Sequence, residues 1–112
     1  MGRAAGGKGM SKARYMYAWE FLAAPGKIAE FKRAYGPEGD WVQLFRRAKG
    51  YVKSELHQDN ANPQRFVTLD YWESAAACDE FRSRFSDEFE DLDVRCEQFT
   101  SKEREIGRFD LV

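Results

Sequence analysis

RFVTLDYWES, residues 65–74, decides the fold. Arg65 to Trp72 reads as a strand, with Val67, Leu69 and Tyr71 on one face and Phe66, Thr68, Asp70 and Trp72 on the other. Ser74 follows with the chemistry of an N-cap, since its hydroxyl can accept a bond from an orphan amide of a first helical turn, and a helix-like run opens at Ala75. Trp72 thus stands at the last step of a strand, where the chain turns over onto its sheet. There its indole either walls a ligand cleft or plugs the core.

Working outward, Asp59–Gln64 (DNANPQ) has the residues of a hairpin loop, and Tyr51–Gln58 before it forms the partner strand. Upstream, Ala13–Phe21 is a strand with Tyr15, Tyr17, Trp19 and Phe21 on one face and Met16, Ala18 and Glu20 on the other. Ala24-Pro25-Gly26 turns the chain into a helix from about Lys27, and Gly36 offers a left-handed stop after Tyr35. Asp40 is positioned to cap a short helix, Trp41–Arg47. Downstream, a helix spans Ser74–Phe85, and Ser86-Asp87-Glu88 looks like a fresh N-terminus. An apolar stripe then runs through Phe85, Phe89, Leu92, Cys96 and Phe99. A last strand is expected over Arg104–Leu111.

That order predicts an α+β domain of the ferredoxin-like βαββαβ type, with a four-stranded antiparallel sheet. Its helices can cover only one sheet face, yet the strands at 13–21 and 65–72 carry apolar residues on both. A second copy of the chain is the simplest cover, so a homodimer joined through the sheet face, a dimeric α/β barrel, is expected.

The domain covers residues 13–112. Residues 1–12, rich in Gly, Ala and basic residues, read as a tail that is disordered or vector-derived, with Met10 a candidate start. A net charge of −1 gives no long-range attraction to nucleic acid or anionic membrane, and no apolar run is long enough to span a bilayer. Cys78 and Cys96 have neither a disulfide framework nor metal-ligand spacing, and both fall on apolar stripes, which suits buried thiols in the cytoplasm. No metal site is expected. Aromatics make up 15% of the chain, enough to build a core from rings or to line a pocket for a flat ligand.

The chain resembles the antibiotic biosynthesis monooxygenase (ABM) family of dimeric α/β barrels. The resemblance rests on Tyr17-Ala18-Trp19-Glu20-Phe21, Pro25-Gly26-Lys27, Phe31, Gly50-Tyr51-Val52, Leu56, Tyr71-Trp72-Glu73-Ser74, Phe81 and Gly107. Members with known activity include enzymes that oxidise polycyclic phenols to quinones with oxygen and no cofactor, haem degraders, and enzymes acting on small signalling molecules. In the first two groups a Trp ending the third strand lies in the cleft, and Trp72 matches it. Thr68 stands where quinone formers can have Asn, and Cys78 where they can have Tyr. Arg82 stands where haem degraders place His, and Trp19 roughly where they use Asn. The resemblance therefore implies a cofactor-independent monooxygenase acting on a small aromatic substrate, with no cofactor and with haem disfavoured. A non-catalytic dimeric binding or interaction module, and a non-oxidative cyclase or isomerase, are the alternatives.

On this reading Trp72, Asp70 and Thr68 are the catalytic candidates, and Tyr17, Trp19 and Arg82 the substrate-binding ones. Asp70 shares a face with Trp72; partial desolvation would raise its pKa and make it a base near neutral pH, unless it is exposed or paired with Arg. Thr68 can donate to a substrate oxygen. Tyr17 and Trp19 would orient a ring or simply pack, and Arg82 would meet an anionic group or stay solvated. His57, the one histidine, shares a face with Lys53 and Glu55 and reads as a solvated or interface side chain.

Overall fold

A computed structural model describes residues 12–112, so the tail expected over 1–12 lies outside the described residues but for Lys12. The elements are β1 (Tyr15–Ala23), α1 (Ile28–Tyr35), α2 (Asp40–Phe45), β2 (Tyr51–Gln58), β3 (Arg65–Trp72), α3 (Ala75–Arg84), α4 (Ser86–Cys96), a 3-10 turn (Glu97–Phe99) and β4 (Thr100–Asp110). The sheet runs β2-β3-β1-β4 and every neighbouring pair is antiparallel. This is the ferredoxin-like α+β arrangement expected from the sequence, with two helices in each βα crossover instead of one.

The register fixes which side chains meet. Across β1 and β3, Tyr15 faces Trp72, Tyr17 faces Asp70, Trp19 faces Thr68 and Phe21 faces Phe66. Across β2 and β3, Ser54 faces Asp70. All of these lie on the helix-covered side, and β3 alternates buried and half-buried residues along its whole length. The opposite side carries Met16, Leu22, Val67, Leu69 and Tyr71, each half-buried in the single chain, with Phe109 exposed.

The helix side holds two apolar clusters. Trp72, Phe45, Phe81, Leu92 and Cys96 anchor one, and Phe21, Ala23, Phe31 and Phe66 the other. Phe66 and Trp72 lie at opposite ends of β3, so that strand contributes to both. Only Thr68 and Asp70 separate them, and these are the two buried polar residues of the described chain.

Several local expectations change. Gly36 adopts φ −80, not the left-handed region. Its role is close approach instead, because a Cβ there would come 2.6 Å from the Lys32 carbonyl oxygen. Asp40 and Ser86 are the first residues of their helices, not caps; Gly39 and Phe85 take the cap positions without side-chain bonds. Asp40 reaches Arg95 instead, at 3.7 Å. Ser74 does cap α3, its hydroxyl accepting from the Ala77 amide at 3.0 Å. The strands shift too: β1 runs to Ala23, and β4 begins at Thr100, four residues before the expected start.

Gly50 has a φ of +91, and a Cβ on it would lie 2.6 Å from the Ala77 Cβ. It lets α3 settle onto the sheet directly above Trp72. Gly50→Ala is expected to destabilise the protein by roughly 1–3 kcal/mol through backbone strain and a clash with α3. Chemical denaturation of the two proteins checks this; equal midpoints would mean that α3 shifts freely.

Candidate functional site

Between the two clusters the helices stand off the sheet and leave a cleft of about 380 Å³. Its floor is the polar middle of β3, Thr68 and Asp70, with Ser54 from β2 and Tyr17 and Trp19 from β1. Its walls are rings: Phe21, Tyr35, Trp41, Phe45 and Phe89. Val42 from α2, Arg82 from α3, Asp93 from α4, Glu103 from β4 and Glu55 complete the lining. The volume and the mostly aromatic walls suit a small flat ligand.

Asp70 is 7% exposed, and among the described residues no Arg pairs with it. Its partner is Ser54, whose hydroxyl donates to Asp70 Oδ1 at 2.5 Å; Ser54 Oγ in turn lies 2.8 Å from the Tyr51 hydroxyl. Because the Ser54 proton is committed to Asp70, Tyr51 is the donor of that second bond. Burial raises the Asp70 carboxyl to about 6, and the Ser54 bond holds it from rising further. Tyr17 faces the carboxylate across the sheet. Burial first and the Asp70 charge second push its phenol well above the usual range, so it stays a neutral donor. The Trp72 indole N–H favours the opposite shift but makes no hydrogen bond of normal length. The arrangement combines one ionisable base, two hydroxyl donors and a stacking wall around one space.

Five of the six sequence candidates, Asp70, Thr68, Tyr17, Trp19 and Arg82, line this cleft. Trp72 does not. It is fully buried, with ring centroids 5.2 Å from Phe81, 5.4 Å from Tyr51 and 5.7 Å from Phe45. The α3 helix closes over it, so the Trp72 indole supports the residues that form the end wall, notably Phe45, and does not touch the space itself. Arg82 is exposed, with its guanidinium 3.9 Å over the Phe89 ring. His57 lies on the far face, 3.1 Å from Glu55, and takes no part. Cys78 and Cys96 are buried free thiols, and burial pushes Cys78 up to about 11.

Ser54, Tyr35, Trp41, Phe89, Asp93 and Glu103 were missed by sequence reasoning. Ser54 was within reach: Asp59 and Arg65 close the hairpin, and counting back equally from each sets Ser54 opposite Asp70. The others come from helices and an edge strand whose facing depends on packing. Among the described residues no group of three or more His, Cys, Asp or Glu could hold a metal ion, and no helix is long and apolar enough to cross a membrane.

The sequence profile described as "Antibiotic biosynthesis monooxygenase" matches residues 15–92. No curated protein matches the sequence significantly. Among solved structures, SnoaB from Streptomyces nogalater, a cofactor-independent oxygenase, superposes with a TM-score of 0.73 at 16% identity, covering 90% of this chain and 95% of that one. PA3566 from Pseudomonas aeruginosa gives 0.65 at 18% identity over 93% and 99% of the two chains. A dimeric ferredoxin-like protein from an uncultured marine organism gives 0.67 at 12% identity over 91% and 90%. At these identities the likeness is one of fold.

Proposed function

The chain belongs to the antibiotic biosynthesis monooxygenase family, and on that premise we propose that it is a cofactor-independent monooxygenase of a small, polycyclic phenol-like substrate. The observation that carries the reading is the buried Asp70 carboxyl, at about 6, on the floor of an aromatic cleft. A base of that strength is ionised at neutral pH and still accepts a phenolic proton. Tyr17, Trp19 and Trp41 bind the ring; Thr68 and the neutral Tyr17 phenol donate to its oxygens.

Loss of the phenolic proton to Asp70 leaves an electron-rich ring able to reduce oxygen. The ring supplies all four electrons. One oxygen atom replaces two ring hydrogens as a carbonyl, and the other leaves as water with those hydrogens. The protein's share is to orient the ring, hold its proton and exclude bulk water. SnoaB, with the same fold and a cofactor-independent oxygenase, supports the reading. Haem finds no support in this lining, which has no histidine.

We also propose that the second sheet face, with Met16, Val67, Leu69 and Tyr71, is covered by a second copy of the chain. The dimeric ferredoxin-like neighbour supports this. The two buried thiols suit a reducing cytoplasm.

The test is oxygen uptake by the purified protein with 1,8-dihydroxyanthrone and related polycyclic phenols under ¹⁸O₂. The expected result is phenol-dependent uptake with one labelled atom in the product carbonyl and one in water. Thermal shift by the same phenols without any uptake would point to the non-oxidative reading.

A further inference from the structure

Several carboxylates of the described chain sit beside a cation: Glu20 lies between Arg65 and Arg104, Asp59 meets Arg65, and Glu55 meets Lys53. Besides Asp70, two carboxylates at the cleft differ. Asp93 on α4 and Glu103 on β4 both line it, and among the described residues neither forms an ion pair. Burial, then the charges of Asp93 and Glu97, push the Glu103 carboxyl up. Both carboxylates also act on the Tyr35 phenol, which forms part of the aromatic wall. The one basic side chain of the lining, Arg82, is stacked on Phe89.

Two like charges at the rim of a partly desolvated cleft repel each other, and among the described residues no cation pairs with either. A ligand cation placed there would relieve the repulsion, and the neighbouring ring faces would attract it further. A ligand carboxylate would add another like charge beside them and beside Asp70. We propose that the cleft selects aromatic ligands that carry a protonated amine, seated against Asp93 and Glu103, with the ring against Tyr17, Trp19 and Trp41. This rests on the reading of the cleft as a ligand site and not on the oxygen chemistry.

Three probes of one ring shape test it: 9-anthracenemethylamine, 9-anthracenemethanol and 9-anthracenecarboxylate, titrated against the intrinsic tryptophan fluorescence at pH 7. The amine is expected to bind about tenfold or more tightly than the carboxylate, with the alcohol between. In the double variant Asp93→Asn, Glu103→Gln the spread is expected to collapse to about twofold. A melting curve for that variant separates lost selectivity from lost fold, and Glu103→Gln alone, on the edge strand, gives a milder second variant that should halve the effect in logarithmic terms. A carboxylate that binds as tightly as the amine, or a spread that survives both substitutions, overturns the proposal. Binding of none of the three overturns the ligand-site reading along with it, whereas binding without a charge order overturns this proposal alone.

Discussion

Asp70→Asn is expected to make the protein more stable and less active at once. The folded state holds the Asp70 proton up to about pH 6, against an ordinary value of 3.8 for the unfolded chain. Between those values the folded state binds more protons than the unfolded one, so stability falls as pH rises through that window. Above it, the full cost of a buried carboxylate is present, about 3 kcal/mol for a shift of this size. An asparagine amide oxygen can still accept from Ser54 and carries no charge. The variant should therefore gain up to about 3 kcal/mol at pH 7, and the gain should vanish below about pH 4. Oxygen uptake should fall about a hundredfold or more, the usual worth of a positioned base. Melting curves at pH 4, 5, 6 and 7 beside uptake rates check both halves. A variant that is destabilised at every pH would mean that the carboxylate is held by favourable bonds and is not a strained base.

Trp72 carries the second large effect. Truncation to Ala empties the space between Phe45, Tyr51 and Phe81 and should cost roughly 3–5 kcal/mol. Against a total stability of about 5–15 kcal/mol, that leaves the domain marginal or unfolded at 37 °C. Trp72→Phe leaves a smaller void and also removes an indole N–H that has no hydrogen-bond partner, so its cost should be nearer 1–2 kcal/mol. Because Trp72 supports the cleft from behind, the Phe variant should melt several degrees lower yet bind aromatic probes within about twofold of the parent. A variant with an unchanged melting temperature and lost binding would make Trp72 a wall of the cleft after all.

Much of this architecture is legible in the chain. β3 is bounded by a turn-rich loop and a serine cap, so its ends and its parity follow from residues alone, and its register partners share the predicted faces. Parity put Thr68 and Asp70 on one face of β3 and Tyr17 and Trp19 on one face of β1, and the register joins the two faces into one surface. Parity says nothing of distance along the strand, and that decides why Asp70 meets the cleft while Trp72, two residues on, is sealed under α3. β4 was read short because Thr100–Glu103 are polar and do not alternate; that segment is strand through its pairing with β1. The caps at Asp40 and Ser86 failed because the chain arrives at α2 and α4 in conformations set by neighbouring turns, Gly39 extended and Phe85 continuing from α3. No local pattern in the sequence marks Asp93 or Glu103, and only the packing of α4 and the edge strand brings them to one cleft.

The sheet order also has a bearing on how the chain is made. β1 leaves the ribosome first, but it is a central strand and bonds on both edges to strands made later. Glu20 and Arg104, which meet across β1 and β4, lie 84 positions apart in sequence. During synthesis one edge of β1 therefore stays unpaired until β4 has emerged, with Tyr17, Trp19 and Phe21 uncovered beside it. Such long-range pairing slows folding and leaves a sticky nascent strand in the meantime. The segment that frames the cleft is thus also the one that most needs shelter from other nascent chains.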